Sequence, residues 1–504
     1  MTTCDTPVLD LDLVLRLRED LTDIGFRVDA VDSLLGAQAV DALGREQPFA
    51  ARRRLADLKG DPLAAVVGLF SVGMQTPVGA IDGALTRTGV EGLSRLGLIE
   101  PAGGDTVRAR CDLRPYGDEQ HTWWVASDLG GVVTGAPLRA DHVLGIGGAS
   151  LTLASWTPRT KVARAADIGT GCGVQALHLS THADEVVVTD VSERALAYAR
   201  FNAALAGLSW DVRRGSLWEP LDGETFDLVV SNPPFVITPR GADVPVFDYR
   251  DGGAAGDAIV ARMVRGAAER LAPGGVAHLL GNWETTPGQD WREVWQGWLD
   301  GTGLDAFVVQ RDVQDPVEYA ELWARDAGLQ PGSPEHDTWL DAWLDDFAQR
   351  GVGRIGFGVM TLRRPLTGRP GRVDLVEHSG PVASPMGPAV LARLAAREWL
   401  EQHGRKEALA RVWRMAPDVT EERYGRPGAS DPSVILLRQG GGLGVSVRAD
   451  TVLAGLVGVC DGDLTAGQAL GGIAALLDLP ADEVIDRAWP AVEQLILDGL
   501  LLPV

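Results

Sequence analysis

Short apolar runs that alternate with helical stretches dominate the middle of the chain, and this alternation limits the fold more than any other feature. The runs lie between residues 161 and 364 and read VARAADIG, EVVVTD, FDLVVSN, GGVAHLLGNW, DAFVVQR and RIGFGVMTLRR. Helical stretches such as SERALAYARFNAALAG separate the first four runs. Strands that are joined by helices and buried on both faces form a parallel sheet covered by helices. The sequence therefore predicts an α/β fold with a doubly wound, mainly parallel sheet.

The length of the chain and changes in its pattern predict more than one domain. A chain of 504 residues is too long for a single hydrophobic core. Residues 1–140 have apolar positions at helical spacing and then two strand-like segments, an order that resembles a winged helix. The sheet-forming pattern occupies residues 141–365, after the glycine-rich stretch GIGGAS. Residues 366–504 follow a segment rich in proline and glycine, and they also resemble a winged helix.

Charge, hydropathy and cysteine usage exclude several classes of protein. The net charge is −23, and none of the three predicted domains is basic, which argues against capture of free nucleic acid through phosphate contacts. The sequence has no apolar run of membrane-spanning length and no signal peptide, so we predict a soluble, cytoplasmic protein without a membrane partner. The cysteines are too far apart in sequence for a disulfide framework or a cysteine zinc site, and we predict no metal; they are Cys4, Cys111, Cys172 and Cys460.

A glycine-rich turn follows the first apolar run and indicates a ligand site. The segment ADIGTGCGVQAL places Asp167 at the strand end and glycine at three alternate positions, Gly169, Gly171 and Gly173. Glycine is needed where the backbone approaches a ligand closely and turns from strand to helix. The spacing GxGxG differs from the dinucleotide pattern GxGxxG and argues against NAD. Asp190, at the end of VVVTD, can bind both hydroxyls of a ribose; the alternative is an ordinary turn with a solvated acid.

The stretch SNPPF, residues 231–235, follows the apolar run FDLVV. Proline fixes φ and lacks an N–H, so two prolines in succession stiffen the backbone. The Asn232 side chain and the Pro233 carbonyl can then form two fixed acceptors for a planar amino group, and Phe235 offers a flat apolar face. The alternative is a simple turn at the end of a strand. Its position at the carboxyl end of a central strand favours a ligand-binding function.

Together, DIGTGCG, Asp190 and NPPF resemble the class I S-adenosylmethionine (SAM) dependent N-methyltransferases over residues 160–365. The resemblance implies a Rossmann-like sheet of seven strands, SAM as cofactor and S-adenosylhomocysteine as product. It implies three catalytic residues, Asn232, Pro233 and Phe235. It also implies a set of cofactor-binding residues: Asp167, Gly169, Thr170, Gly171, Gly173, Asp190, Val191, Ser216, Leu217 and Asn232.

The acceptor stays open because the same motif serves adenine N6, guanine N2 and the glutamine amide in this family. The loop YRDGGAAGD resembles the corresponding loop of release-factor glutamine methyltransferases at Asp251, Gly252, Gly253 and Gly256, whereas Asp257 stands one position later than their second acid. Phenylalanine at the end of NPPF is more typical of rRNA base methyltransferases. The resemblance therefore implies rRNA, a ribosomal particle or a translation-factor protein as partner. Along its whole length the chain also resembles a group of actinobacterial methyltransferases.

A tryptophan-rich insertion near residues 312–351 separates the last two apolar runs, where the family has a tight hairpin. We expect it to cover the acceptor side. The insertion and the segment before it contain Trp283, Trp291, Trp295, Trp298, Trp323, Trp339 and Trp343. These rings can stack on bases, but their helical spacing favours packing within a core.

Two other functions remain open from the sequence. The chain could be a regulatory protein that binds SAM without catalysis and engages a partner through its terminal domains. It could also methylate a small molecule. An intact NPPF motif favours the enzyme, since a sensor does not need an acceptor clamp. The sequence does not predict an oligomeric state.

Overall fold

The computed structural model describes residues 6–118, 120–135, 138–240, 246–428 and 431–504. Cys4 lies outside these residues. The chain divides into two compact units. The first comprises Met1–Ala154 and Lys161–Glu377, and the second comprises Ser155–Thr160 and His378–Val504.

The beginning of the first unit is mainly helical. Its first helices are α1 (Leu11–Asp23), α2 (Val28–Leu35), α3 (Ala37–Gly44) and α4 (Phe49–Ala56). A compact group then follows in the order α5 (Pro62–Phe70), β1 (Thr76–Pro77), α6 (Val78–Ala84), α7 (Gly89–Arg95), β2 (Ile99–Gly103) and β3 (Thr106–Ala109). These strands pair in the order β1-β3-β2, and both pairs are antiparallel.

A separate hairpin connects this helical part to the rest of the unit. It consists of β4 (Asp112–Gly117) and β5 (Thr122–Ser127), and α8 (Gly131–Thr134) and α9 (Gly148–Trp156) follow it. We expected these strands to belong to a winged-helix-like domain that ends at residue 140, but the structure groups residues 1–154 with the large sheet. The physical reason is burial, because all of β5 beyond Thr122 is shielded from solvent and its main chain bonds to the fully buried side chain of Asn202.

The large sheet confirms the predicted α/β class. Its strands are β6 (Val162–Ile168), β7 (Ala183–Asp190), β8 (Asp211–Arg214), β9 (Phe226–Ser231), β10 (Leu271–Thr285), β11 (Asp305–Gln314), β12 (Arg354–Arg363) and β13 (Val373–Glu377). They lie in the order β13-β11-β12-β10-β9-β6-β7-β8, and β12 alone among them is antiparallel to its neighbours. Helices α10 (Val174–Leu179), α11 (Glu193–Ala206), α12 (Ala258–Arg270) and α13 (Trp291–Leu299) connect the strands.

We predicted seven strands, but the sheet has eight among the described residues, because β13 adds an edge strand parallel to β11. The unit with the sheet therefore extends to Glu377, beyond the predicted boundary at residue 365. β13 gave little sequence signal since none of its residues is fully buried. A half-exposed edge strand does not need the continuous apolar run that marks a central parallel strand.

The predicted insertion forms two helices between β11 and β12, namely α14 (Pro316–Asp326) and α15 (Pro334–Arg350). Aromatic and aliphatic side chains of both helices form a core with residues that follow the NPPF motif: Val236, Ile237, Tyr319, Ala320, Ala324, Trp339, Trp343, Phe347 and Ile355. Trp339 and Trp343 stack with ring centroids 5.2 Å apart and are 1% and 0% exposed. Their burial favours the packing interpretation over a base-stacking platform.

The second unit has its own core. Its elements are α16 (Gly387–Ala410), β14 (Val412–Met415), β15 (Val419–Tyr424), β16 (Val434–Gln439), β17 (Ser446–Ala449), α17 (Thr451–Val459), β18 (Asp461–Thr465), α18 (Ala466–Leu476), α19 (Ala481–Leu497) and β19 (Leu501–Pro503). Strands β18, β14 and β19 pair in that order, and β15, β16 and β17 form an antiparallel meander. Leu456, Leu470 and Leu495 are fully buried at the centre of this core.

The described residues give no sign of a membrane span or a metal centre. No helix among them combines the length and apolar character that crossing a bilayer requires. Within the same residues, His, Cys, Asp and Glu side chains form no cluster suited to a metal ion. Cys111, Cys172 and Cys460 are buried and unpaired with one another.

We expect Trp343→Ala to lower the free energy of unfolding by about 3–5 kcal/mol, because it removes a fully buried ring and leaves a cavity in the insertion core. Urea unfolding followed by tryptophan fluorescence measures the change. Leu322→Ala is the control, since Leu322 lies on the same insertion but is 39% exposed, and we expect a change within about 0.5 kcal/mol. Equal losses in both variants would contradict the core assignment.

Candidate active site at the carboxyl ends of β6 and β9

The carboxyl ends of β6 and β9 lie side by side where the strand order of the sheet reverses. Ile168 at the end of β6 pairs with Ser231 at the end of β9. The Ser231 hydroxyl donates to the Ile168 carbonyl at 2.7 Å and fixes this register. Ligands of open α/β sheets bind at such a switch point. The sheet therefore brings the glycine-rich turn and the NPPF motif to one place, as the sequence predicts.

The glycine-rich turn has a conformation that requires glycine. The φ angles of Gly169, Gly171 and Gly173 are +70°, +55° and +90°, in the left-handed region that other residues avoid. A Cβ added at Gly171 meets no atom within 4 Å, and one at Gly169 meets only the Asn232 carbonyl oxygen, at 3.9 Å. Space is therefore open beside these two glycines. Gly173 serves packing, because its added Cβ would lie 2.7 Å from the Trp210 ring.

Asp190 ends β7 and faces the same turn. Its Oδ2 accepts the Gly171 N–H at 2.9 Å, and its Oδ1 accepts the Ser192 N–H at 2.9 Å. Burial raises the pKa of this carboxyl, while these two backbone donors act to lower it. A carboxylate oxygen can accept more than one hydrogen bond, so both oxygens keep capacity for a ligand hydroxyl.

The residues predicted near the far end of the cofactor lie next to Asp190. The Gly215 N–H donates to the Asp190 carbonyl at 3.0 Å and brings Ser216 and Leu217 to this edge. Leu217 has a φ of +48°, an uncommon value for a residue with a side chain, and it packs against the main core of the unit. Val191 is 49% exposed beside them.

The NPPF motif presents two acceptors that the described protein does not use. Asn232 Oδ1 is shielded from solvent and accepts no hydrogen bond from the described residues. The Pro233 carbonyl likewise accepts none from them. An unsatisfied buried acceptor costs about 1–3 kcal/mol. The acceptor capacity of the Asn232 side-chain oxygen is therefore not used by the described residues and remains for a ligand donor.

The loop that contains Asp251 packs directly on this motif. Phe235 and Asp251 form an isolated antiparallel bridge, and the Val236 N–H donates to the Arg250 carbonyl at 2.9 Å. A Cβ at Gly252 would lie 3.0 Å from the Pro234 carbonyl oxygen and closer still to Ile259, so this position requires glycine. The predicted resemblance of this loop thus has a physical basis at Gly252. Asp257 is held elsewhere, since its carboxylate accepts the Glu284 N–H.

Two predicted residues lie beneath the turn. Asp167 is 1% exposed and accepts a hydrogen bond from the Thr170 hydroxyl at 2.6 Å, so together they brace the loop from below. Burial raises the pKa of Asp167 to about 7. Burial also raises the pKa of the Cys172 thiol to about 12, which keeps it protonated.

Sequence reasoning missed Asn202. Its Nδ2 donates to the Cys172 carbonyl at 2.8 Å and to the Ala126 carbonyl at 2.9 Å, and its Oδ1 accepts the Ala126 N–H. It therefore ties the glycine-rich turn to β5. The only local signal was an amide among the apolar residues of α11, which is too common to single out a site.

Comparison with known families now identifies this part of the chain. Residues 145–289 match the family described as methyltransferase small domain. This segment is a class I SAM-dependent methyltransferase domain. Residues 23–110 and 392–503 match two domains of unknown function, DUF7059 and DUF7782.

Curated relatives of the methyltransferase domain are named as methyltransferases of a release factor, of ribosomal RNA and of a ribosomal protein. A release factor glutamine methyltransferase of Deinococcus radiodurans is 37% identical over 30% of this chain and 59% of the relative. A ribosomal RNA small subunit methyltransferase C of an Enterobacter species is 31% identical over 27% of this chain and 35% of the relative. A ribosomal protein uL3 glutamine methyltransferase of Bradyrhizobium diazoefficiens is 33% identical over 28% of this chain and 48% of the relative. The chain thus spans between about a third and three fifths of these relatives.

The residues of the methyltransferase domain fit SAM. The turn at Gly169 and Gly171 leaves room for a ligand beside the main chain. Asp190 offers two carboxylate oxygens with remaining acceptor capacity at the adjacent strand end. SAM is the cofactor that this family uses, in agreement with the sequence prediction.

We expect Asp167→Asn to change how stability depends on pH. Between the ordinary aspartate pKa of about 4 and about 7, the folded protein keeps a proton that the unfolded chain has lost. This carboxyl therefore makes the free energy of unfolding fall as pH rises, and the amide removes that contribution. From about pH 4.5 to about pH 6.5, the stability of the variant relative to wild type should rise by about 1.4 kcal/mol per pH unit.

Urea unfolding at a series of pH values measures this difference. Asp184→Asn is the control, because Asp184 lies on the neighbouring strand β7, is exposed and pairs with Lys161 at 3.3 Å. We expect its stability to follow that of the wild type across the range. Parallel pH profiles for Asp167→Asn and wild type would show that Asp167 does not hold the proton.

Proposed function

We propose that this protein is a SAM-dependent N-methyltransferase that methylates a planar amino or amide nitrogen on rRNA or on a protein of the translation apparatus. The observation that carries the proposal is the pair of unused acceptors, Asn232 Oδ1 and the Pro233 carbonyl, next to the open glycine-rich turn. A protein that only sensed SAM would have no use for them.

The two acceptors would act on the nitrogen that receives the methyl group. A planar amino group is a poor nucleophile because its lone pair is delocalised. Hydrogen bonds from its two N–H groups to Asn232 and Pro233 favour a pyramidal nitrogen and aim the lone pair at the donor. When bound, SAM supplies an electrophilic methyl group on a sulfonium, and S-adenosylhomocysteine leaves as the nitrogen forms its new bond. The nitrogen then loses one proton to solvent, so no strong general base is needed.

The remaining residues of the site would bind and orient the two substrates. Gly169 and Gly171 would line the methionine and ribose portion of SAM, and Asp190 would accept the ribose hydroxyls. Ser216, Leu217 and Val191 lie beside Asp190, where the adenine would be held. Phe235 is partly buried, with its ring centroid 5.6 Å from that of Phe357, and its ring would stack on the acceptor plane. Such positioning and electrostatic assistance supply the rate gain.

The choice of acceptor rests on the relatives and on charge. The relatives named above methylate a glutamine of a release factor, a glutamine of a ribosomal protein, or ribosomal RNA. A net charge of −23 disfavours free nucleic acid, which is bound through Lys and Arg contacts to phosphate. We therefore propose an acceptor within a protein or an assembled ribosomal particle.

The terminal regions would recognise the partner as winged-helix-like modules. The order α5-β1-α6-α7-β2-β3, with β1 paired to the β2–β3 hairpin, supports this interpretation for the first. In the second, α17-β18-α18-α19-β19 has a similar order, and β14 takes the place of the missing hairpin strand. Such modules dock on nucleic acid or on protein.

Incubation of the full-length protein and tritiated SAM with lysate from cells that lack the protein tests the function. We expect label in the ribosomal RNA or protein fraction with wild type and none with Asn232→Ala, because the alanine removes one of the two acceptors. Label confined to small molecules, or absent from every fraction, would refute the proposal.

Binding measurements separate chemistry from cofactor affinity. By calorimetry, Asn232→Ala should bind SAM within a few-fold of the wild type. Asp190→Asn should bind SAM about 10- to 100-fold more weakly, because a charged acceptor for the ribose is lost. Equal transfer by wild type and Asn232→Ala would show that the clamp is not used.

A further inference from the structure

The insertion helices α14 and α15 contact the chain immediately after the NPPF motif. The Ile237 N–H donates to the hydroxyl oxygen of Tyr319 on α14, at 3.1 Å. The same oxygen accepts the side-chain amide of Asn282 at 2.7 Å, and Asn282 lies on β10 next to β9. Tyr319 is 2% exposed. One buried hydroxyl thus joins the insertion, the motif segment and the sheet.

A second connection runs through Arg250. Its carbonyl accepts the Val236 N–H, and its guanidinium donates to Asp326 Oδ2 at the end of α14, at 2.5 Å. Arg250 is 3% exposed and lies over the rings of Phe247 and Trp339, 4.5 and 5.4 Å from their centroids. A buried charge that is paired and stacked in this way is costly to separate from its partner.

The two connections hold consecutive main-chain amides. Val236 and Ile237 directly follow Phe235, and proline removes the amide hydrogen at Pro233, Pro234 and Pro239. The segment 232–239 therefore has few amide hydrogens that can form hydrogen bonds. Helix α14 restrains two of them, the Ile237 amide directly through Tyr319 and the Val236 amide indirectly through Arg250 and Asp326. The insertion core around Trp339 and Trp343 is fully buried, in contrast to the low burial expected of a moving lid.

We propose that the α14–α15 insertion is a fixed brace for the NPPF motif and that Tyr319 is a positioning residue, which holds Asn232 and Pro233 in place through the Ile237 amide. This inference rests on the proposed function for its effect on rate, but the brace itself can be detected without activity. Displacing reacting groups by about 1 Å can cost about 100-fold in rate, so a partial loss of restraint should be visible in kcat.

The test uses Tyr319→Phe in the full-length protein, which removes the hydroxyl and keeps the ring. Hydrogen exchange of peptides covering 232–240 should speed up, because the Ile237 amide loses its acceptor. With the acceptor identified by the labelling experiment, kcat should fall about tenfold while the Kd for SAM stays within about twofold. If the Tyr319 hydroxyl served stability alone, Tyr319→Phe would lower the midpoint of thermal unfolding but would leave kcat unchanged at a temperature well below that midpoint.

Tyr116→Phe is the matched control, since it also removes a buried tyrosine hydroxyl. Tyr116 lies on the β4–β5 hairpin, and its hydroxyl bonds to His178 at 2.5 Å. It should leave exchange at 232–240 and kcat unchanged. A second variant, Asp326→Asn, should speed exchange at Val236 and lower kcat in the same direction. If residues 232–240 exchanged their amide hydrogens at the wild-type rate in both Tyr319→Phe and Asp326→Asn, the proposal that the insertion braces the motif would be wrong. Absence of methyl transfer by wild type would refute the proposed function alone, and exchange would still decide the brace.

Discussion

Two consecutive prolines after a buried parallel strand set the geometry on which the site depends. Without N–H groups at positions 233 and 234, the chain cannot continue the hydrogen-bonded ladder of β9 and leaves the sheet at Ser231. It does so beside the glycine-rich turn, because β6 and β9 are neighbours at the reversal of strand order. The Pro233 main-chain carbonyl, which a continued ladder would use, and the Asn232 side-chain oxygen are left available at a ligand-binding edge.

Regions distant in sequence stabilise this edge from two sides. On the cofactor side, Asn202 joins the turn to a hairpin from the first 130 residues. On the acceptor side, the insertion packs against the residues after Phe235. The methyltransferase domain matched at residues 145–289 is therefore completed by elements outside the match. This explains why the structure groups the first 154 residues with the large sheet.

The sequence was most informative where burial or backbone geometry restricts the choice of residue. Central strands require continuous apolar runs, and left-handed turns require glycine, so β6, β9 and the loop at Gly169–Gly173 could be predicted. No apolar run marks β8 or β13, because both strands are partly exposed at the sheet edges. The resemblance implied a seventh strand besides the six apolar runs but not the additional edge strand β13. Asn202 and Tyr319 could not be identified either, since their bonding partners lie 76 and 82 residues away along the chain.

The position of the insertion separates the two halves of the site in sequence and in space. It joins the end of β11 to the start of β12, and the start of β12 pairs with the carboxyl end of β10, at the ligand edge. A connection at this point can lengthen, shorten or be exchanged without changing the pairing of any strand. A different connection here would alter what supports the acceptor side of the site and would leave the backbone of the glycine-rich turn as it is.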